Sequence, residues 1–180
     1  MRIFTFISAI AIMLWLPTTQ ADDSLSTNLQ IFGTIIGESC EVDVNSKEQT
    51  VYLGAFDLSE FPTTGTTTSP TPFTIDLKNC SRAINGTKVW FSGTPDINNP
   101  DLLMLRDTGR GTEREMATGV GVEILDTDNQ PVSINNKESS VYPLVQGTNI
   151  LTFYLRYKST LPEVTPGNAT AIMYFDLLYQ

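Results

Sequence analysis

Short runs rich in Val, Ile, Thr, Tyr and Phe recur along this chain, each broken by Gly, Pro, Asn or Asp. No segment carries a long, capped helical period, so the pattern reads as β almost throughout. Strands are expected at 29–36, 49–53, 73–77, 88–92, 121–125, 132–134, 149–157 and 169–179, with 101–106 a further strand or a single turn. Many short strands punctuated by turn residues argue for an all-β sandwich. One hairpin is explicit: Val122-Glu123-Ile124-Leu125 runs through Asp126-Thr127-Asp128-Asn129-Gln130 into Pro131-Val132-Ser133-Ile134. The Thr-, Ser- and Pro-rich stretch 63–72 reads as a surface loop, because too little chain precedes it to build a second core.

The chain begins Met1-Arg2, continues as a mostly apolar run over 3–16, and reaches Pro17-Thr18-Thr19-Gln20-Ala21. Basic, apolar and small-residue pieces in that order are a secretory signal peptide, assigned to 1–21. The apolar run is shorter than the roughly 20 residues of a spanning helix. The remainder is long enough for one domain with a real core. The net charge of −9 argues against a nucleic-acid partner, since phosphate binding needs clustered Lys and Arg. Two cysteines, Cys40 and Cys80, in an exported chain point to one disulfide. With no histidine in the sequence they make a poor metal site, and His-based triads are excluded. No phosphate loop, Gly-x-Ser-x-Gly or dinucleotide fingerprint is present, and Asp126 and Asp128 lack the other ligands of a calcium loop. Neither an enzyme nor a cofactor or metal site is therefore expected.

The two ends carry the most information. Over 25–37, Leu25, Thr27, Leu29, Ile31, Gly33 and Ile35 fall on one edge of an extended chain. Such a segment spans about 40 Å, roughly twice a typical strand. At the other end, Met173, Phe175, Leu177 and Tyr179 alternate with Tyr174, Asp176 and Leu178, and the sequence stops on Gln180 without a turn. An exposed strand edge invites aggregation unless something covers it. Either an internal strand covers this one or another chain adds a strand to it.

These features resemble those of a chaperone–usher pilus subunit, most like a minor or adaptor subunit of type 1 fimbriae. The resemblance rests on Gly33 in an alternating arm ahead of Cys40, on Phe73-Thr74-Ile75-Asp76-Leu77-Lys78-Asn79-Cys80, and on Gly119-Val120-Gly121-Val122-Glu123-Ile124-Leu125. It rests also on the ending, with Gly167, alternating Met173, Phe175 and Leu177, and a penultimate Tyr179.

The resemblance implies an incomplete immunoglobulin-like sandwich, a pilin domain over 40–180 that lacks its final strand, preceded by a donor-strand extension over 22–39. It implies that Leu29, Ile31, Gly33 and Ile35 insert into a neighbouring subunit. It implies that Met173, Phe175, Leu177 and Tyr179 lie on the strand bordering the groove that receives such an arm. The expected partners are other subunits of the same fibre, a periplasmic chaperone and an outer-membrane usher, with export through the periplasm to a surface fimbrium. The alternative is a self-contained secreted β-sandwich that binds carbohydrate or another surface ligand.

Overall fold

The structure is a computed structural model that describes residues 30–33, 39–111, 115–136 and 140–180. The chain divides into two units, Met1–Ile35 and Ile36–Gln180. Of the first, only 30–33 are described. The second contains β1 (Glu41–Val42), a short helix α1 (Val44–Lys47), β2 (Thr71–Cys80), β3 (Gly86–Gly93), β4 (Leu103–Met104), β5 (Val120–Leu125), β6 (Val141–Pro143), β7 (Gly147–Ser159) and β8 (Met173–Tyr179). A single 3-10 turn covers Leu58–Glu60.

Alternation along β2 sends Phe73, Ile75 and Leu77 inward and leaves Thr74 and Asp76 half-buried on the other side. Its antiparallel partner β7 matches that face, with Phe73 opposite Phe153 and Ile75 opposite Leu151. On its far side β7 pairs with β5, placing Val122 opposite Tyr157 and Ile124 opposite Leu155. Short edge strands complete a five-stranded sheet of order β1-β2-β7-β5-β4. A three-stranded sheet, β6-β3-β8, forms the second layer. The layers meet in an aromatic cluster: the Phe91 and Phe153 ring centroids lie 4.9 Å apart edge to face, with Phe73 5.7 Å and Tyr142 5.2 Å from Phe153. The expected all-β sandwich is thus what the chain forms.

Cys40 and Cys80 are disulfide-bonded, 40 residues apart in sequence, tying the start of β1 to the end of β2. Asp43 reinforces the same corner. Its carboxylate accepts from the Asn45 N–H at 2.8 Å and pairs with Lys78, and these contacts hold its pKa below the usual carboxylate value, the Lys78 hydrogen bond contributing most. On the outer face of the larger sheet, Glu123 is only 2% exposed. It is neutralised by Arg156 and Lys158 of β7, each 2.6 Å away.

Several expectations need correction. Residues 49–53 form no strand, although Val51 and Leu53 are half-buried and Tyr52 is exposed, as alternation requires. Residues 132–134 form no strand either. The hairpin closes through a Leu125–Pro131 bridge and a bond from Val132 N–H to the Ile124 carbonyl, then turns away at Asn135, whose φ is 58°. Strand β6 was not anticipated. Of 63–72, the last residues belong to β2, and Thr68 is buried with its hydroxyl accepting from the Tyr157 N–H, so the loop packs on the sheet. Of the expected strand over 29–36, residues 30–33 form no strand and the other four lie outside the described residues.

The last strand starts at Met173, not at Ala169. Asn168 exchanges backbone bonds with Glu115 and Ala117, and the Thr170 carbonyl accepts from the Arg106 N–H while its hydroxyl donates to the Arg106 carbonyl, so this stretch is held by the segment between β4 and β5 before the chain enters β8. Gly167 makes that approach possible. A Cβ there would lie 2.5 Å from the Ala117 nitrogen and 2.6 Å from the Glu115 carbonyl oxygen, both backbone atoms, and its φ is 155°. Gly167→Ala is therefore expected to destabilise the domain by roughly 1–3 kcal/mol, readable in a denaturant titration. An unchanged midpoint would contradict this contact.

Candidate functional site

Strand β8 is apolar on its inward face and pairs along one edge only. Register runs from Met173 opposite Gly93 to Tyr179 opposite Thr87, all on β3. Among the described residues no strand pairs with its other edge. The consequence is visible in burial. On β3 the inward Val89 and Phe91 are each 1% exposed. Their cross-strand neighbours Leu177 and Phe175, with Met173 and Tyr179, are only half-buried although they face the same core. Wet apolar surface costs about 25 cal/mol per Å², so a packed domain would ordinarily cover such a strip.

A second row of half-covered apolar groups is Val42, Val51, Leu53 and Phe56, all packed on the same core. Contacts link this stretch to the region of β8 near both of its ends. The Tyr179 hydroxyl donates to the Cys40 carbonyl oxygen at 3.3 Å. Phe56 packs edge to face on Tyr157, and the Tyr157 hydroxyl donates to the Ala169 carbonyl just ahead of β8. Residues 49–57 form no ladder; Val51 and Leu53 alternate with exposed Tyr52, and the phase shifts at Gly54, whose φ is 107°, before Phe56 returns to the core. Among the described residues, β8 is thus unpaired along one edge and 49–53 belongs to no sheet, and the inward side chains of both share one core. Burial raises the Tyr179 pKa, partly offset by the Cys40 hydrogen bond, and burial raises that of Tyr157 also. Both phenols stay neutral at ordinary pH. Among the described residues no cluster of His, Cys, Asp and Glu is suited to a metal.

Met173, Phe175, Leu177 and Tyr179 are thus brought onto one face, and Cys40 and Cys80 are joined. Ile31 is 86% exposed. Gly33 is described, whereas Leu29 and Ile35 lie outside the described residues. The row Val51, Leu53 and Phe56 was not assigned a role from sequence. For Val51 and Leu53 the signal is the alternation over 49–53, which predicts an ordinary strand; Phe56 lies beyond it.

Comparison with known proteins adds a family. The profile described as "Fimbrial protein" matches residues 29–180. The chain is 40% identical over 153 residues to the fimbrial-like protein YcbU of Escherichia coli K12, covering 85% of this chain and 84% of that protein. It is 38% identical over 150 residues to the type 1 fimbrial subunit of Salmonella typhimurium, covering 82% and 80%. Among solved structures, a Burkholderia pseudomallei antigen and type I fimbria protein aligns with a TM-score of 0.57 at 35% identity, covering 78% of this chain and 88% of that one. The P pilus rod subunit PapA aligns with a TM-score of 0.64 at 23% identity, covering 78% and 99%, and supports the fold.

Proposed function

The chain belongs to the fimbrial protein family, and from that premise we propose that it is a subunit of a chaperone–usher pilus and polymerises by exchanging strands with its neighbours. The observation that carries this reading is the half-burial of Met173, Phe175, Leu177 and Tyr179 beside the fully buried Val89 and Phe91. A strand added at the free edge of β8 pairs its backbone with that edge and lays alternate side chains on the uncovered strip. The arm over 25–37 supplies such a strand for the next subunit, with Leu29, Ile31, Gly33 and Ile35 inward. A subunit with both an arm and an open edge joins head to tail, and repetition gives an open filament.

Before assembly the uncovered strip makes the lone subunit an aggregation hazard. A periplasmic chaperone covers it during transit, and an outer-membrane usher hosts the exchange. The subunit is internal to the fibre, and the adaptor or minor placement suggested by sequence is one such position. Catalysis has no part in this role.

Gly33→Val tests the reading. A Cβ at Gly33 meets nothing within 4 Å, so valine is sterically tolerated in the isolated chain. In an acceptor that leaves no room at this position, over-packing costs about 1–3 kcal/mol, or roughly 5- to 150-fold in attachment. The variant is expected to fold and to bind its chaperone, yet to form few heat-stable subunit ladders on gels. Normal laddering would contradict the assignment of the arm.

A further inference from the structure

This inference rests on the strand-exchange reading and concerns the arm's other face. With Leu29, Ile31, Gly33 and Ile35 inward, period-two alternation puts Phe32 and Ile36 outward. Phe32 is 86% exposed. A strand added to β8 sets its outward side chains beside the outward side chains of β8, because paired residues share a face. On the outward side Tyr174 is 63% exposed and Leu178 41% exposed, with Ile172 just ahead of the strand at 36% and Asp176 between them.

We propose that Phe32 and Ile36 in the arm of a second copy of this chain pack on Tyr174 and Leu178, so that the arm grips the acceptor strand on both faces. The spacing on the two strands matches. Phe32 and Ile36 are as far apart as Tyr174 and Leu178, so one alignment engages both pairs in either strand direction. That alignment also places Gly33 beside Leu177 if the strands are antiparallel, or beside Phe175 if parallel, keeping Ile31 and Ile35 on the uncovered strip. Other registers still leave Phe32 near an apolar neighbour. Directly opposite Asp176 it has Tyr174 and Leu178 on the diagonals, about 7–8 Å away and within reach of an aromatic ring. A second copy fits as donor because both halves of the match lie in this sequence. Residues 25–37 also carry no charge, so the inserting part of a copy's arm brings no carboxylate of its own to Asp176, with Asp22, Asp23 and Glu38 lying outside it.

The test uses the full chain with residues 25–37 copied after Gln180 through a Gly/Ser linker. Unfolding rates in guanidinium are compared for this chain, for Phe32→Ser in the appended copy, for Tyr174→Ser with Leu178→Ser, and for all three changes together. Phe32→Ser and the acceptor changes are each expected to speed unfolding about two- to fivefold. Combined, they are expected to do little more than the acceptor changes alone, since those already remove the contact that Phe32 makes. Phe32→Leu is expected to restore most of the loss. An unchanged rate with Phe32→Ser, or effects that simply multiply, overturns the inference and leaves strand exchange standing. An appended copy that gives no stabilisation at all sinks the strand-exchange reading and this inference with it.

Discussion

Replacing Cys40 and Cys80 together by alanine is expected to destabilise the domain by about 4 kcal/mol. The bond closes a loop with a sequence separation of 40, and the chain-entropy argument scales with the logarithm of that length. Set against a typical domain stability of about 5–15 kcal/mol, the loss is large, and at roughly 2–4 °C per kcal/mol it lowers Tm by about 8–16 °C. The bond also fixes Cys40 where its carbonyl receives the Tyr179 hydroxyl, at one end of the open edge. Losing it therefore loosens the stretch that runs from β1 toward Val51 and Leu53. The measurement is a denaturant titration of the doubly substituted chain, made with a complementing strand appended so that both versions are monomeric. A loss below about 1 kcal/mol would mean that β1 is held by Asp43, Lys78 and the β2 pairing rather than by the covalent bond.

The central strands were legible because their alternation is strong and each has neighbours to satisfy it. Phe73-Thr74-Ile75-Asp76-Leu77 and the run over 149–157 read as strands and are strands, each extended by a few residues in the folded chain. Val141-Tyr142-Pro143 was illegible because it is short and ends in a proline that cannot donate to a ladder. It pairs with β3 all the same, and Tyr142 reaches the core aromatic cluster. Glu123 lies between Val122 and Ile124 and is buried as they are. Its burial depends on Arg156 and Lys158, more than thirty residues away, which local pattern cannot supply.

The most instructive difference is 49–53. Its alternation is correct and its inward side chains face the core, yet it forms no ladder. Local sequence specifies which side faces in, but a strand also needs a neighbour, and on the present account that neighbour belongs to another molecule. The acceptor residues were legible from the chain's end, where Met173, Phe175, Leu177 and Tyr179 alternate. Their half-burial was not, because a deficit of cover is a property of the packed whole. In the sequence Gly167 stands out only through a resemblance. Its reason, a backbone-to-backbone approach to residues 115–117, exists only in three dimensions.

Covering the strip on β8 completes the burial of several apolar side chains, worth about 1–2 kcal/mol each, and adds backbone bonds worth about 1 kcal/mol each. Ordering the added strand costs about 1–2 kcal/mol per residue when that strand arrives as a flexible chain, so the net gain is several kcal/mol rather than the gross sum. For a domain of this size that corresponds to an increase in Tm of roughly 10 °C or more. The most direct measurement is thermal unfolding, with light scattering, of the signal-free chain with and without a copy of residues 25–37 linked after Gln180. The account predicts a soluble monomer with a single cooperative transition only when the copy is present, and aggregation at low temperature without it. An unmodified chain that stays monomeric and melts cooperatively at the same temperature would mean that the sandwich is complete in itself.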